Sequence, residues 1–218
     1  MPIVAHPKLP SLSKLKTEDL IIADASALAK DINQELHIGL LNLMPDAALQ
    51  ATERQFIRML GSDENILVHV YPTTVGSSKR GEEFQDYIAK NYNDISTIYA
   101  SKLDGLIISG TNPSKPDMTE EPFWAPLVEV MDWAMENTNS ILCSCLATHA
   151  LMKYYFNIDR EFRGQKSWGV FPHTVANSSN PLIAGLDDSF MGLHSHFYDL
   201  PLKKIQDTDL EILAYNSQ

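Results

Sequence analysis

Ile141-Leu142-Cys143-Ser144-Cys145-Leu146-Ala147-Thr148-His149-Ala150 reads as a short apolar strand that runs through a cysteine straight into a helical pattern. A side chain at position 145 then sits at a helix N-terminus, where unpaired backbone N–H groups and the positive end of the helix dipole stabilise an anion. For cysteine that anion is the thiolate, the form that attacks carbonyl carbon. So sharp a turn demands small neighbours, and Ser144 and Ala147 are small. Cys143 lies inside the strand and reads as a packed thiol, since free cysteine is among the most buried residue types.

Upstream of this stretch the same alternation recurs. Residues 38–44 form an apolar strand broken by Pro45, and 47–60 read as a helix with Ala48, Thr52, Phe56 and Met59 inward, ended by Gly61. A second strand (66–71), a second amphipathic helix (82–92) and a third strand (103–109) follow, the last ending in Gly110. A helix over 123–137, with Phe123, Leu127, Val130, Met131 and Ala134 inward, leads into the opening strand and a helix over 146–156. Such repeats of apolar strands and helices predict an α/β fold, an open, mostly parallel sheet with helices on both faces. The first 36 residues, irregular and punctuated by Pro2, Pro7 and Pro10, read as an N-terminal arm, and residues 37–218 as one domain. Beyond Asn157 the short segments 168–175, 181–186, 190–197 and 210–215 read as strands and loops of a β-rich extension.

Composition narrows the function. A chain of 218 residues with 44% hydrophobic content can bury one substantial core. A formal net charge of -11 argues against nucleic acid or an anionic membrane as partner, since either rewards a basic surface. Residues 1–16 hold no continuous apolar run, and no stretch nears the roughly 18–20 apolar residues of a membrane span, so a cytoplasmic protein acting on small molecules is expected. The two cysteines, one residue apart on a strand, point to opposite faces and make poor disulfide partners.

In open parallel sheets ligands bind beyond the carboxyl ends of the strands, which here directs attention to residues 42–46, 110–117 and 145. A thioester or tetrahedral oxyanion on Cys145 would be held by the backbone N–H of Leu146 and an N–H of the Gly110-Thr111 turn. A thiol nucleophile also needs a base. His149, four residues on along the same helix, leans along the helix surface and is not that base. His194 and His196 share a face of an extended segment, with His173 nearby in sequence, but no third ligand stands at metal spacing, so no metal site is expected.

These residues together resemble the homoserine O-acyltransferases of methionine biosynthesis, the branch built on a class I glutamine amidotransferase-like (flavodoxin-like) fold. The carriers are Leu41-Asn42-Leu43-Met44-Pro45, Thr52-Glu53-Arg54-Gln55-Phe56, Asp104-Gly105-Leu106-Ile107-Ile108-Ser109-Gly110, Cys145 with its helix, Gly169-Val170, Asp187-Asp188-Ser189-Phe190 and His194-Ser195. The resemblance implies that an acyl group passes from acyl-CoA to Cys145 and then to the hydroxyl of L-homoserine, with acyl-CoA as co-substrate and no bound cofactor. It also implies that Lys166 and Ser195 contact substrate, that Ser114 sets acyl preference (a small residue favouring succinyl, a glutamate acetyl), and that the protein is a homodimer. Three places depart from the family pattern: Asp46-Ala47-Ala48 replaces lysines, His196 replaces an arginine, and Ser167-Trp168 replaces the more usual residues. The family's histidine base and its orienting glutamate belong to a Gly-His-Pro-Glu type segment, which these 218 residues do not contain. The expectation is therefore a chain cut short at its C-terminal part, inactive or weakly active alone. An amidotransferase-like cysteine hydrolase and a noncatalytic relative of the fold are the alternative readings.

Overall fold

The computed structural model describes residues 3–5, 9–17, 22–23, 34–61, 66–75 and 80–216. The chain divides into two compact units, residues 1–150 and 151–218, where the sequence reading has an arm followed by one domain. Among the described residues no helix is long and apolar enough to cross a membrane.

The first unit is built on a six-stranded sheet in which every pairing is parallel, in the order β2-β1-β4-β3-β5-β6. Its strands are β1 (Ile3–Ala5), β2 (Ile22–Ala23), β3 (Gln34–Leu41), β4 (Ile66–Thr73), β5 (Gly105–Ile108) and β6 (Ser140–Cys143). The flanking helices are α1 (Ser11–Lys16), α2 (Asp46–Leu60), α3 (Glu82–Asn91), α4 (Ile95–Ala100), α5 (Trp124–Asn137) and α6 (Leu146–Phe156), whose length spans the boundary between the units. The strand–helix alternation predicted from 37 onward is present. The described part of the first 36 residues is more than an arm, because β1 lies inside the sheet between β2 and β4 and α1 buries Leu12 and Leu15. Ile3, Leu9, Leu12, Leu15, Leu40, Ile57, Val68 and Val70 form one buried cluster, so this segment completes a core that strands β3 and β4 begin. α4 has no counterpart in the predicted elements. Its start is marked by Asp94, whose carboxylate accepts from the Ser96 N–H at 2.8 Å in an ordinary N-cap.

The second unit carries a three-stranded antiparallel sheet in the order β8-β7-β9. β7 (Glu161–Val175) and β8 (Ser189–Asp199) form a long ribbon, with a register shift between Phe162 and Ser167. The predicted strand over 210–215 is reduced to β9 (Ala214–Tyr215), the segment 181–186 holds a short 3-10 turn, Pro181–Ile183, capped by Asn180, and α7 (Leu202–Gln206) follows Pro201.

Position 53 decides how α2 sits. The buried stripe is Leu49, Glu53 and Ile57, one residue on from the predicted Ala48, Thr52, Phe56 and Met59, and Met59 is 71% exposed. A polarity pattern turns Glu53 outward, yet it is wholly buried because partners await it. The Ser11 hydroxyl of α1 donates to its carboxylate, and the Tyr87 hydroxyl of α3 lies 3.2 Å from both carboxylate oxygens. Burial pushes the Glu53 pKa above its ordinary 4.5, against the lowering effects of hydrogen bonds from Ser11, Tyr92 and Tyr87 and of the Arg54 charge. A carboxyl raised in the folded state contributes its full stability below its unfolded pKa and loses it as pH rises through the folded value. Urea unfolding from pH 4.5 to pH 8 should therefore show the parent losing stability relative to Glu53→Gln as pH rises. A parent-minus-variant difference that is flat or grows with pH would contradict this account.

Candidate active site

Register brings the strand ends to one edge. Leu41 pairs with Thr73 and with Ile108, and Ile108 pairs with Cys143, so the loops after β3, β4, β5 and β6 leave the sheet side by side. The ladder continues one residue further, with Ser109 N–H donating to Leu41 O and Ser144 N–H to Ile108 O, both at 2.9 Å. Immediately beyond, Cys145 has φ 56°, a left-handed conformation that costs a side-chain-bearing residue roughly 1–2 kcal/mol. Bonds on both sides hold it there: the Ser144 amide is tied to β5, and the Thr148 hydroxyl donates to Cys143 O at 2.9 Å. α6 begins at Leu146 and the Cys145 side chain is exposed.

Gly110 closes the elbow. A Cβ on it would lie 2.8 Å from the Cys145 Cβ, 3.2 Å from its Sγ and 3.4 Å from the Leu146 amide nitrogen. Only glycine permits this approach, and it sets the backbone at 110 against both the thiol and the first amide of α6. Ser109 pins the loop, its Oγ accepting from the Leu43 N–H at 2.8 Å and lying 3.0 Å from Gly110 O. Asn42 supports the neighbouring loop: its amide donates to Leu49 O and to the Tyr92 hydroxyl at 2.9 Å each, and accepts from the Met44 N–H at 3.2 Å. Thr111 is half-buried beside Gly110. Further along, the buried Glu121 carboxylate accepts from the amide of Ser114, from the Lys115 N–H at 2.5 Å and from the Ser114 hydroxyl at 3.1 Å, so the backbone at 114 is held in place. Asp46, where the family pattern has lysine, accepts from Arg80 Nη1 at 3.0 Å and from the Gly81 N–H at 2.9 Å.

Cys145 lines a groove of about 730 Å³ together with Gln55, Phe56, Arg58, Met59 and residues 142–144. Arg58 is the cationic residue of that lining. Cys143 ends β6, is half-buried where Cys145 is exposed, and burial pushes its thiol up to about 12.

In the second unit Lys166 and Ser195 occupy the same exposed face of the β7–β8 ribbon. Trp168 is paired with Ser195, and Lys166 Nζ lies 4.5 Å from the Trp168 ring centre and 5.8 Å from that of Phe197. The opposite face carries the histidines. His194 Nε2 lies 3.0 Å from His173 Nε2, and the His194 and His196 rings are 4.9 Å apart, as their alternation requires. Burial, then the neighbouring His196 and His173, lower the His194 pKa. Gly192 makes room for this stack, since a Cβ there would fall 2.4 Å from the His173 ring.

A family model described as Homoserine O-succinyltransferase matches residues 2–218. The chain belongs to the homoserine O-succinyltransferase family. Curated homoserine O-succinyltransferases from Methylobacter tundripaludum and Allochromatium vinosum are each 45% identical to it over 219 and 220 residues, which is 100% of this chain and 62% and 61% of theirs. One from Methylococcus capsulatus is 41% identical, again over 100% of this chain and 62% of its own length. The chain thus spans about three-fifths of the relatives it matches. Among solved structures, a GMP synthase component from Thermoplasma acidophilum has a TM-score of 0.52 at 20% identity, covering 84% of this chain and 73% of its own. A ThuA-like protein from Bacteroides uniformis has a TM-score of 0.52 at 15% identity, covering 89% and 72%. At such identities these two speak for the fold alone, the α/β arrangement of a parallel sheet with flanking helices expected from the strand–helix repeats.

Sequence reasoning placed Asn42 and Ser109 within the strand-end motifs without giving either a role, and missed Glu121, one acid in a polar loop. All three act mainly on backbone groups, which leave no trace in a residue pattern. The contrast between the cysteines is directly testable. At pH 8 a thiol with pKa about 12 is on the order of 10⁻⁴ thiolate, so iodoacetamide followed by peptide mapping should modify Cys145 with Cys143 roughly a hundredfold slower or more. Comparable labelling of Cys143 in the folded protein would overturn the assignment of roles.

Proposed function

We propose that this chain carries the acyl-accepting machinery of a homoserine O-succinyltransferase acting on succinyl-CoA and L-homoserine. The observation that supports this most is the left-handed Cys145 packed against Gly110, with the Leu146 amide beside it, in a chain of this family. In the first step the Cys145 thiolate attacks the thioester carbonyl. The negative charge that forms on oxygen is held by the N–H of Leu146 and an N–H of the Gly110-Thr111 turn. Collapse breaks the carbon–sulfur bond to CoA, whose sulfur takes a proton, and leaves a succinyl thioester on Cys145. In the second step the homoserine hydroxyl attacks that thioester, its proton passes to a base, and the bond to Cys145 breaks to give the O-succinyl ester and the free thiolate.

The remaining assignments rest on the family resemblance. Lys166 and Ser195 contact substrate, and Ser114 leaves room for the succinyl carboxylate. The base is a histidine oriented by a glutamate in a segment outside these 218 residues. A general base contributes about 10²–10⁴-fold, so this chain alone acylates slowly. A homodimer in the cytoplasm is the proposed setting.

Intact-mass measurement after incubation with succinyl-CoA should show one succinyl adduct, absent in Cys145→Ser and discharged by L-homoserine. An unmodified parent, or discharge by water as fast as by homoserine, would reject the transferase reading, the latter in favour of a hydrolase. Gly110→Ala, which forces the elbow apart by a fraction of an ångström or more, should slow adduct formation about 10²-fold. Replacing Ser114 by Glu should lower adduct formation from succinyl-CoA relative to acetyl-CoA in parallel assays, and an unchanged donor ratio removes Ser114 from the acyl subsite.

A further inference from the structure

A second cluster of chemically competent side chains lies on the sheet of the first unit, away from the strand ends. His37 of β3 and His69 of β4 are direct register partners. Glu35 precedes His37 by two residues and Tyr71 follows His69 by two, so period-two alternation puts all four on one face. The two imidazoles stack with centres 4.5 Å apart and planes 7° apart. His37 Nδ1 is 2.8 Å from the Tyr71 hydroxyl. With Nδ1 donating to the phenol oxygen, the ring's lone pair stays on Nε2, the arrangement that fixes the tautomer of a metal-bound histidine. The backbone at 37 is clamped as well, its N–H donating to Asp104 Oδ2 at 2.7 Å and its carbonyl accepting from the Asp104 N–H at 2.8 Å. His69 Nε2 is shielded from solvent, makes no hydrogen bond among the described residues, and faces Glu35 Oε2 at 3.7 Å.

We propose that Glu35, His37 and His69 form a binding site for one divalent transition-metal ion of the zinc class, clipping β3 to β4. Two imidazoles and a carboxylate are a ligand set suited to zinc, with a fourth position left to water. One ligand atom from each of the three residues lies within 4.8 Å of the other two. Tetrahedral bonds of about 2.0–2.1 Å require ligand atoms roughly 3.4 Å apart. Reaching that geometry asks for a shift of about 1 Å from Glu35, whose side chain is 50% exposed, and for the two stacked rings to turn about their side-chain bonds until their in-plane lone pairs converge on one ion. A chain with a formal charge of -11 also favours cation uptake.

The full chain, freed of metal by chelator and dialysis, should take up one equivalent of Zn²⁺ at this site by calorimetry, and Co²⁺ in its place should give visible bands of low-symmetry nitrogen coordination. Both signals should disappear in His37→Ala and in His69→Ala, with circular dichroism confirming the fold. Tyr71→Phe, which leaves every ligand in place, should weaken binding about 10–100-fold and keeps the question answerable if an alanine variant does not fold. The proposal fails if the metal-free protein takes up no Zn²⁺ or Co²⁺. It fails equally if uptake is unchanged in His37→Ala, His69→Ala or Tyr71→Phe, or is lost instead in His173→Ala or His194→Ala, which would place the ion at the other histidine cluster.

Discussion

The carboxyl edge of the parallel sheet is organised by a separation too small for a methyl group. Gly110 and Cys145 approach so closely that a Cβ on the glycine would overlap the cysteine's own at 2.8 Å. That contact is possible because β5 and β6 are in register to their last residues, and it is maintained because Ser109 anchors the glycine's loop to the β3 loop. The left-handed backbone at 145 follows from it: the chain must turn within one residue to begin α6 while keeping its side chain clear of β5. Strain at one residue is then held by hydrogen bonds at its neighbours, which is how a folded scaffold keeps a reactive group in a conformation the free chain would leave.

Much of the first unit was legible because apolar strand runs alternate with helical patterns along the chain. α6 runs over Leu146–Phe156 as the pattern predicts, since a strand-to-helix junction with small flanking residues has few other solutions. The face of α2 was not legible. A glutamate in a helical pattern counts as an outward residue, and its burial is made tolerable by hydroxyls far along the chain, Ser11 at 42 positions and Tyr87 at 34. β1 escaped notice for a related reason: three residues between prolines carry no periodicity, and the strand is defined by its partners β2 and β4.

The two histidine groups divide in the same way. His194 and His196 announce their shared face by spacing alone. His37 and His69 are brought together by strand register, 32 positions apart in sequence, and nothing local to either residue points to the other. The elbow at Cys145 was readable because a strand-to-helix junction depends on its immediate neighbours. Ser109, Asn42 and Glu121 were not, because what they hold is backbone.

The interior position of β1 has a consequence for how this protein is made. Ile3 pairs with Ile22 on one side and Val68 on the other, so β1 completes its place in the sheet only once the chain beyond β3 and α2 is available. Non-local parallel pairing of this kind is slow to form and leaves strand edges open meanwhile. Leu9, Leu12 and Leu15 wait with it, an apolar patch without its core. The segment that carries β1 and α1 is thus among the last parts of the sheet that can be finished, and until β4 is in place its apolar side chains stay open to water.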